Sequence, residues 1–210
     1  MVFKGIKSVF KRENDFTDIV IVSGLPRSGT SLMMMMLEAG GLPPLSDQIR
    51  RADNDNPKGY YEFERAKKLP DGDTAWLEEA RGKTVKVIAA LVPYLPPEYH
   101  YKIIFMRRAM NEVLASQRKM LLNRGEDPNK IRDEDLARLF EQHIKQVTTW
   151  IQNQPHIQRI DVNYNQLMQS PAPQLAAVRA FLDLDLNLQK MISAIDRGLY
   201  RQRGNGSSSS

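Results

Sequence analysis

The chain has 210 residues and a formal net charge of +5, with 30 Lys and Arg against 25 Asp and Glu. This length suits one domain with a substantial core, so we expect a single domain over residues 1–203 and a disordered tail over 204–210. The chain contains no Cys, which excludes disulfides, thiol nucleophiles and thiolate metal sites; its three His lie far apart, and no metal site is predicted.

The distribution of charged and apolar residues narrows the partners and the location. Lys and Arg are spread along the chain and are not clustered with aromatic residues, which argues against a nucleic-acid groove. No stretch reaches the roughly 18 apolar residues of a transmembrane helix, and the basic N-terminus lacks the apolar core of a secretory signal. We therefore expect a cytoplasmic protein with no transmembrane segment; the net positive charge favours an anionic ligand, and the oligomeric state is left open.

The N-terminal part of the chain contains its most informative motif. A short amphipathic helix is predicted over 1–13, and a buried strand over Ile19–Ser23 precedes the segment Gly24–Ser31, with the sequence Gly-Leu-Pro-Arg-Ser-Gly-Thr-Ser. A helix is predicted from Gly29 to Ala39, ending at the next two glycines. A strand, a glycine-rich turn and a helix N-terminus form the geometry in which backbone N–H groups bind a phosphate.

This loop differs from the usual nucleotide-binding motif at one position. Its two glycines have the spacing of G-x-x-x-x-G-K-[ST], but Thr30 stands where that motif has its lysine. Arg27 is the cation of the loop. The loop therefore predicts a phosphate site for a ligand other than an ordinary nucleoside triphosphate.

Strands and helices alternate along the rest of the chain. Strands are predicted over 83–90, 101–106 and 157–162, and helices over 60–68, 110–123, 136–152, 171–182 and 188–195. This alternation predicts an α/β fold with three layers, α/β/α, and a central parallel sheet of the P-loop NTPase type. Binding sites in such folds lie at the carboxyl ends of the strands, where the Gly24–Ser31 loop begins.

A second candidate anion site follows the third predicted strand. Arg108 lies at the end of that strand, and Ser116 lies eight residues later in the next helix. An arginine at a strand end and a serine on the facing side of a helix can bind one phosphate together, with the guanidinium providing charge-assisted hydrogen bonds. Together with the loop, the pair predicts a ligand with two separate anionic groups.

These motifs resemble those of the sulfotransferases that use 3′-phosphoadenosine 5′-phosphosulfate (PAPS). Pro26–Thr30 is similar to the segment P-[KR]-S-G-T, which binds the 5′-phosphosulfate in that family. The pair Arg108 and Ser116 is similar to the family's 3′-phosphate site, and Tyr164 resembles a tyrosine that lies next to the adenine. Asn56–Glu62 resembles a stretch found in bacterial members.

The resemblance covers most of residues 18–185 and implies sulfuryl transfer from PAPS, as co-substrate, to a hydroxyl or amine acceptor. It implies that the amides of Ser28, Gly29 and Thr30 and the hydroxyls of Thr30 and Ser31 bind the 5′-phosphosulfate. Arg27 would meet the charge on the leaving oxygen. No metal is implied.

One departure from the family concerns the catalytic base. Cytosolic members carry a histidine in a Lys-Thr-His segment, which here matches Lys86-Val87-Ile88, so Ile88 stands at the histidine position. Some members use a glutamate, and Glu62 is the best candidate for a base here, with Glu64 second. Lys86 points either toward the leaving oxygen or, as a lysine whose stem lies along apolar surface, toward solvent.

Several alternatives remain open on the sequence alone. A P-loop kinase using ATP and Mg²⁺ fits the strand-loop-helix unit, and a non-catalytic nucleotide-binding module fits the missing histidine. The acceptor is a small molecule, a glycan or a lipid, and the aromatic residues near it, Tyr60, Tyr61, Phe63 and Trp76, either line its pocket or pack in the core. Arg201 and Arg203 either fold back on the 3′-phosphate or form a solvated end.

Overall fold

The computed structural model describes residues 16–47 and 61–195 and contains one parallel sheet there. Its strands are β1 (Ile19–Gly24), β2 (Thr84–Lys86), β3 (Tyr101–Arg107) and β4 (Ile157–Asn163). Their order across the sheet is β2-β1-β3-β4, and every neighbouring pair is parallel. The predicted parallel sheet is therefore confirmed, with β1 and β3 side by side at its centre.

All six residues of β1 are buried, in agreement with the apolar run that predicted this strand. A strand at the centre of a parallel sheet is covered by other elements on both faces, so its side chains are apolar without alternation. The register pairs Gly24 at the end of β1 with Met106 near the end of β3. The segments that follow these two strands consequently begin next to each other.

Helices cover both faces of the sheet and produce the predicted three layers. The α-helices are α1 (Thr30–Gly40), α2 (Met110–Asn123), α3 (Asp133–Gln152), α4 (Tyr164–Gln169), α5 (Pro171–Leu182) and α6 (Leu188–Ser193). Short 3-10 helices span Glu64–Asp71, Ala75–Leu77 and Ala89–Tyr94. One core cluster joins the sheet to the 3-10 helices and α3, and a second joins it to α1, α4, α5 and α6.

Two of the predicted elements differ from the structure in type, and two others by two or three residues at one boundary: α3 begins at Asp133 and not at 136, and α6 ends at Ser193 and not at 195. The predicted strand over 83–90 ends at Lys86, and the following apolar run forms the 3-10 helix Ala89–Tyr94, which buries Ala89 and Val92. A short apolar run does not distinguish a strand from a buried helical turn. The predicted helix over 60–68 is also wrong, because the 3-10 helix there spans Glu64–Asp71 and contains Pro70.

Other boundaries agree closely with the sequence patterns. Helices α2 and α5 begin and end at the predicted residues, and α5 begins with Pro171, which suits the first turn. Helix α4 was not predicted, although Asn163 gives a signal: its side chain accepts a hydrogen bond from the Gln166 N–H at 3.0 Å and caps the helix.

Some sequence predictions fall outside the residues that the structure describes. These are the helix over 1–13, the segment 56–60, the arginines 201 and 203 and the tail over 204–210. Among the helices of 16–47 and 61–195, none has the length and apolar character needed to cross a bilayer.

Candidate active site

The loop after β1 is a compact turn that leads directly into α1. Arg27 adopts a left-handed backbone conformation with φ 69°, and Gly29 does the same with φ 99°. Ser28 is buried, its hydroxyl donates a hydrogen bond to the Leu25 carbonyl at 2.7 Å, and its N–H points at the same carbonyl at 3.2 Å. Ser28 therefore closes the turn and presents the next residues at the N-terminus of α1, where backbone N–H groups lack acceptors within the helix.

Gly29 lets the ring of Tyr164 lie against the loop. A Cβ atom at Gly29 would lie only 2.4 Å from Cδ2 of Tyr164. Tyr164 begins α4, immediately after β4, and is buried. The absence of a side chain at position 29 is thus needed for this close approach as well as for the positive φ.

Arg108 reaches the same loop from the end of β3. Its Nη1 atom donates a hydrogen bond to the Arg27 carbonyl at 3.0 Å, and its guanidinium lies 4.5 Å from the centre of the Tyr164 ring. The Arg27 side chain in turn donates from Nε to the Ser116 hydroxyl at 2.9 Å. The structure therefore brings together the loop, the strand-end arginine, the helix serine and the tyrosine that the sequence singled out.

A second group of residues lies on the β2 side of the loop. Lys86 ends β2, and its ammonium group lies 3.3 Å from the Ser31 hydroxyl and 3.9 Å from a carboxylate oxygen of Glu62. The side chains of Lys86 and Glu62 are only 10% and 17% exposed. Lys86 thus directs its charge into the site and not to the surface.

Glu62 also contacts a second lysine. The Lys67 ammonium group lies 3.2 Å from Oε2 of Glu62 and 2.6 Å from Oε1 of Glu64. The hydrogen bond with Glu64, followed by that with Glu62, raises the pKa of Lys67 above its ordinary value. Of the two candidate bases, Glu62 is the one that lies beside Lys86, whereas Glu64 is 43% exposed and contacts Lys67.

The family of the chain follows from a match that covers the β2 to α5 part of this site. A model of the sulfotransferase family matches residues 83–187, half of the chain's 210 residues. The chain belongs to the sulfotransferase family. The resemblance deduced from the motifs is confirmed, and membership favours sulfuryl transfer over the kinase alternative.

Solved sulfotransferases share this fold. A mouse sulfotransferase complexed with PAP matches with a TM-score of 0.57 and 16% identity, covering 89% of this chain and 68% of its own. The sulfotransferase domain of the Synechococcus PCC 7002 olefin synthase matches with a TM-score of 0.53 and 17% identity, covering 91% and 83%. A sulfotransferase domain from the curacin biosynthetic pathway matches with a TM-score of 0.50 and 13% identity, covering 86% of this chain and 79% of its own. No curated protein matches the chain.

Two site residues of this sulfotransferase-family chain were missed by sequence reasoning. Glu112 is only 4% exposed, and its carboxylate accepts hydrogen bonds from Arg108 Nε at 2.9 Å and from Asn165 Nδ2 at 2.8 Å. Asn165 also accepts the Ala109 N–H at 3.1 Å. The sequence signal for Glu112 was its position four residues after Arg108 at the start of a helix. No sequence signal indicated the contact between Asn165 and Glu112, because 53 residues separate these two residues.

Two of the aromatic residues considered for an acceptor pocket belong to the core. Trp76 is 1% exposed, and its indole N–H donates to the Asp73 carbonyl at 2.9 Å. Phe63 packs edge-on against Trp76, with 5.2 Å between the ring centres. Tyr61 has φ 50°, and its hydroxyl hydrogen-bonds Glu38. Burial, with this hydrogen bond, raises the pKa of Tyr61. Ile88, at the histidine position, is 42% exposed.

Within 16–47 and 61–195, no group of three or more His, Asp or Glu side chains is arranged to hold a metal ion. Three cationic side chains, those of Arg27, Lys86 and Arg108, lie around the loop, together with the carboxylates of Glu62 and Glu112.

Proposed function

We propose that the protein transfers a sulfuryl group from PAPS to a hydroxyl or amine acceptor. The observation that carries this proposal is the pair of contacts from Arg27 to Ser116 and from Arg108 to the Arg27 carbonyl, at 2.9 and 3.0 Å. These contacts bring two arginines to the N-terminus of α1, which supports a single ligand that meets all three. A nucleotide with phosphate groups on both its 5′ and 3′ oxygens matches such a pair of adjacent cationic groups.

The loop is proposed to bind the 5′-phosphosulfate. The amides of Gly29 and Thr30 and the hydroxyls of Thr30 and Ser31 would donate to it at the N-terminus of α1. Ser28 is assigned to the same subsite; because its amide and hydroxyl both face the Leu25 carbonyl, its contribution is to shape the turn.

The 3′-phosphate and the adenine are assigned to the β3 and β4 side. Arg108 and Ser116 would bind the 3′-phosphate, and Tyr164 would contact the adenine. Tyr164 supports this assignment because its ring lies between the loop at Gly29 and the guanidinium of Arg108.

The chemistry proposed is an in-line displacement at sulfur. Glu62 takes a proton from the acceptor, the acceptor oxygen or nitrogen forms a bond to sulfur, and the bond from sulfur to the bridging oxygen breaks. The products are the sulfated acceptor and 3′-phosphoadenosine 5′-phosphate (PAP), and the proton remains on Glu62. Arg27 and Lys86 stabilise the charge that develops on the leaving oxygen, an effect worth about 3 kcal/mol for one such donor.

The acceptor is proposed to approach from the side of Glu62 and Ile88. Family membership supports a small-molecule acceptor, with glycan and lipid hydroxyls as further classes for a screen. Ile88 provides an exposed apolar side chain there, two residues along an extended segment from Lys86.

Thermal shift with nucleotides tests the donor assignment. PAP without Mg²⁺ should raise the melting temperature, AMP should raise it less, and ATP with Mg²⁺ should not exceed AMP. Arg108→Ala should abolish the difference between PAP and AMP. Arg107→Ala is the matched control, because Arg107 ends the same strand but pairs with Asp161 at 3.2 Å.

Turnover then separates an enzyme from a nucleotide-binding module. Labelled PAPS incubated with mixed phenol, sugar and lipid alcohols should yield a labelled acceptor. Stabilisation by ATP with Mg²⁺ alone would instead support the kinase, and no response to any nucleotide would reject the donor assignment.

A further inference from the structure

Arg108 is held by a buried network that the donor assignment does not use. The side chain of Arg108 is 8% exposed, and the side chain of Glu112, which accepts a hydrogen bond from Arg108 Nε, is 4% exposed. Asn165 donates to the other carboxylate oxygen of Glu112 at 2.8 Å and accepts from the Ala109 N–H at 3.1 Å. The network therefore links the start of α2, the start of α4 and the end of β3.

These contacts determine the plane of the guanidinium. Nε is bound to Glu112, Nη1 is bound to the Arg27 carbonyl, and one face lies over Tyr164. Arginine binds phosphate through a planar fork, so a rotation of that plane changes phosphate binding strongly. Glu112 controls the rotation because it holds the atom next to the side-chain stem.

The presence of a carboxylate here has an electrostatic consequence. A buried negative charge close to a proposed phosphate site opposes anion binding through Coulomb repulsion. If Glu112 acted only through its charge, its removal would strengthen the binding of a 3′-phosphate. If it acts by orienting Arg108, its removal weakens that binding. The two possibilities differ in sign.

We propose that Glu112 and Asn165 are positioning residues that orient Arg108 and so give the site its selectivity for a 3′-phosphorylated nucleotide. This inference rests on the proposed function. Neither side chain needs to touch the ligand, because both act through the guanidinium. The pair also couples the arginine to Tyr164, since Asn165 is the next residue in α4.

Hydrogen-bond chemistry provides an isosteric test. Both groups that face Glu112 are donors, so a Gln at position 112 accepts from only one of them and presents its NH2 group to the other. Flipping the Asn165 amide does not help, because its Nδ2 would then face the Ala109 N–H. An Asp at position 165 removes this conflict: it accepts from both the Ala109 N–H and the Gln NH2 group.

The double variant Glu112→Gln with Asn165→Asp therefore restores the three hydrogen bonds that join Arg108, position 112, position 165 and the Ala109 N–H, and it keeps the total charge. Glu112→Gln alone should weaken PAP binding about tenfold or more, because a neutral amide cannot accept from both donors and holds the guanidinium less firmly than a carboxylate, and it should leave AMP binding within about twofold. Asn165→Ala should give a smaller loss that is also selective for PAP. The double variant should return the ratio of the two affinities to within about threefold of the starting protein.

The experiment measures PAP and AMP affinities by titration calorimetry, with Asp161→Asn as control. Asp161 contacts Arg107 and Arg159 at the surface, so its variant removes a carboxylate near the same strand end and should leave the ratio unchanged. The idea is overturned if Glu112→Gln binds PAP as well as or better than the unmodified protein, or if PAP and AMP lose affinity equally. If the single variant does not fold, the double variant and Asn165→Ala decide: an unaltered ratio in Asn165→Ala, or a ratio not restored by the double variant, overturns it.

A ligand-free readout separates this inference from the proposed function. The NMR signal of the Arg108 Nε–H proton should show slow exchange with solvent in the unmodified protein, faster exchange in Glu112→Gln, and slow exchange again in the double variant. If this pattern holds and the unmodified protein does not distinguish PAP from AMP, the donor assignment has failed and the selectivity claim with it, while the orienting network stands. If PAP is preferred and the signal is unaffected by Glu112→Gln, the positioning claim alone has failed.

Discussion

The side chain of Arg27 donates a hydrogen bond to the hydroxyl of Ser116 across 89 residues of sequence, at 2.9 Å. The contact joins the loop after β1 to the second turn of α2. A hydroxyl has one donor and two acceptor positions, so Ser116 can accept from Arg27 and, in the proposed complex, donate its own proton to the 3′-phosphate. Under the proposed function, Ser116 therefore links the Arg27 loop to the 3′-phosphate site.

Replacing Ser116 tests this shared use. Ser116→Ala should lower the affinity for PAP about three- to tenfold, the range expected for one neutral hydrogen bond, and reduce affinity for AMP less. Titration calorimetry measures both. Ser193→Ala, at the exposed end of α6, is the control and should bind PAP normally. Unchanged PAP affinity in Ser116→Ala would remove this residue from the site.

Two Glu-to-Gln substitutions test which glutamate is the catalytic base. Glu62→Gln should lower kcat about 100- to 10,000-fold, as expected for the loss of a general base, and leave PAP affinity nearly unchanged. Glu64→Gln is the matched control, because Glu64 shares the Lys67 partner but is more exposed. The measurement is turnover of labelled PAPS with any acceptor identified in the screen. A larger loss in Glu64→Gln would reverse the assignment.

The close contact between Gly29 and Tyr164 predicts a specific stability defect. Gly29→Ala should destabilise the protein by more than the ~1–3 kcal/mol of an unfavourable backbone conformation, because its Cβ would also meet the Tyr164 ring at 2.4 Å. Gly41, just after the other end of α1, has φ 106°, and a Cβ atom there would have nothing within 4 Å. The destabilisation by Gly41→Ala therefore measures the cost of the backbone conformation alone.

Chemical denaturation measures both glycine variants, and PAP titration adds a second criterion. Only Gly29→Ala should weaken PAP binding, because only this change moves the tyrosine. Equal destabilisation by the two changes would show that the ring yields without cost.

The stability of the fold should depend on pH through His156. Burial, with the nearby charge of His100, lowers the pKa of His156 below its ordinary value, and its Nε2 atom is buried without a hydrogen-bond partner among the described residues. The unfolded chain then binds this proton more readily than the folded protein. Stability is therefore fully present above the ordinary pKa of about 6.5 and is lost as pH falls through the interval between that value and the lower folded pKa.

Denaturation curves from about pH 7 to about pH 5 measure this dependence. His156→Gln cannot titrate in that range, so its stability should fall less on acidification than that of the unmodified protein. Parallel curves for the two proteins would exclude a contribution from His156.

Much of the fold was predictable from local patterns. The apolar run of β1 and the helix boundaries of α2 and α5 follow from nearest neighbours in the chain, and the sequence predicted them correctly. The predicted strand over 83–90 extended too far because its apolar residues suit a strand and a buried 3-10 turn equally. The strand β2 pairs with β1 only as far as Lys86, opposite Val22, and the chain then leaves the sheet although β1 continues to Gly24.

The sequence by itself determined which residue types form the candidate site and which family the chain resembles, through the loop motif and the spacing of Arg108 and Ser116. Tertiary structure decided which of them meet: Arg27 with Ser116, Lys86 with Ser31 and Glu62, and Glu112 with Asn165. The reason is that a motif depends on short-range spacing, whereas these contacts depend on the strand order β2-β1-β3-β4. That order brings distant segments to one edge of the sheet.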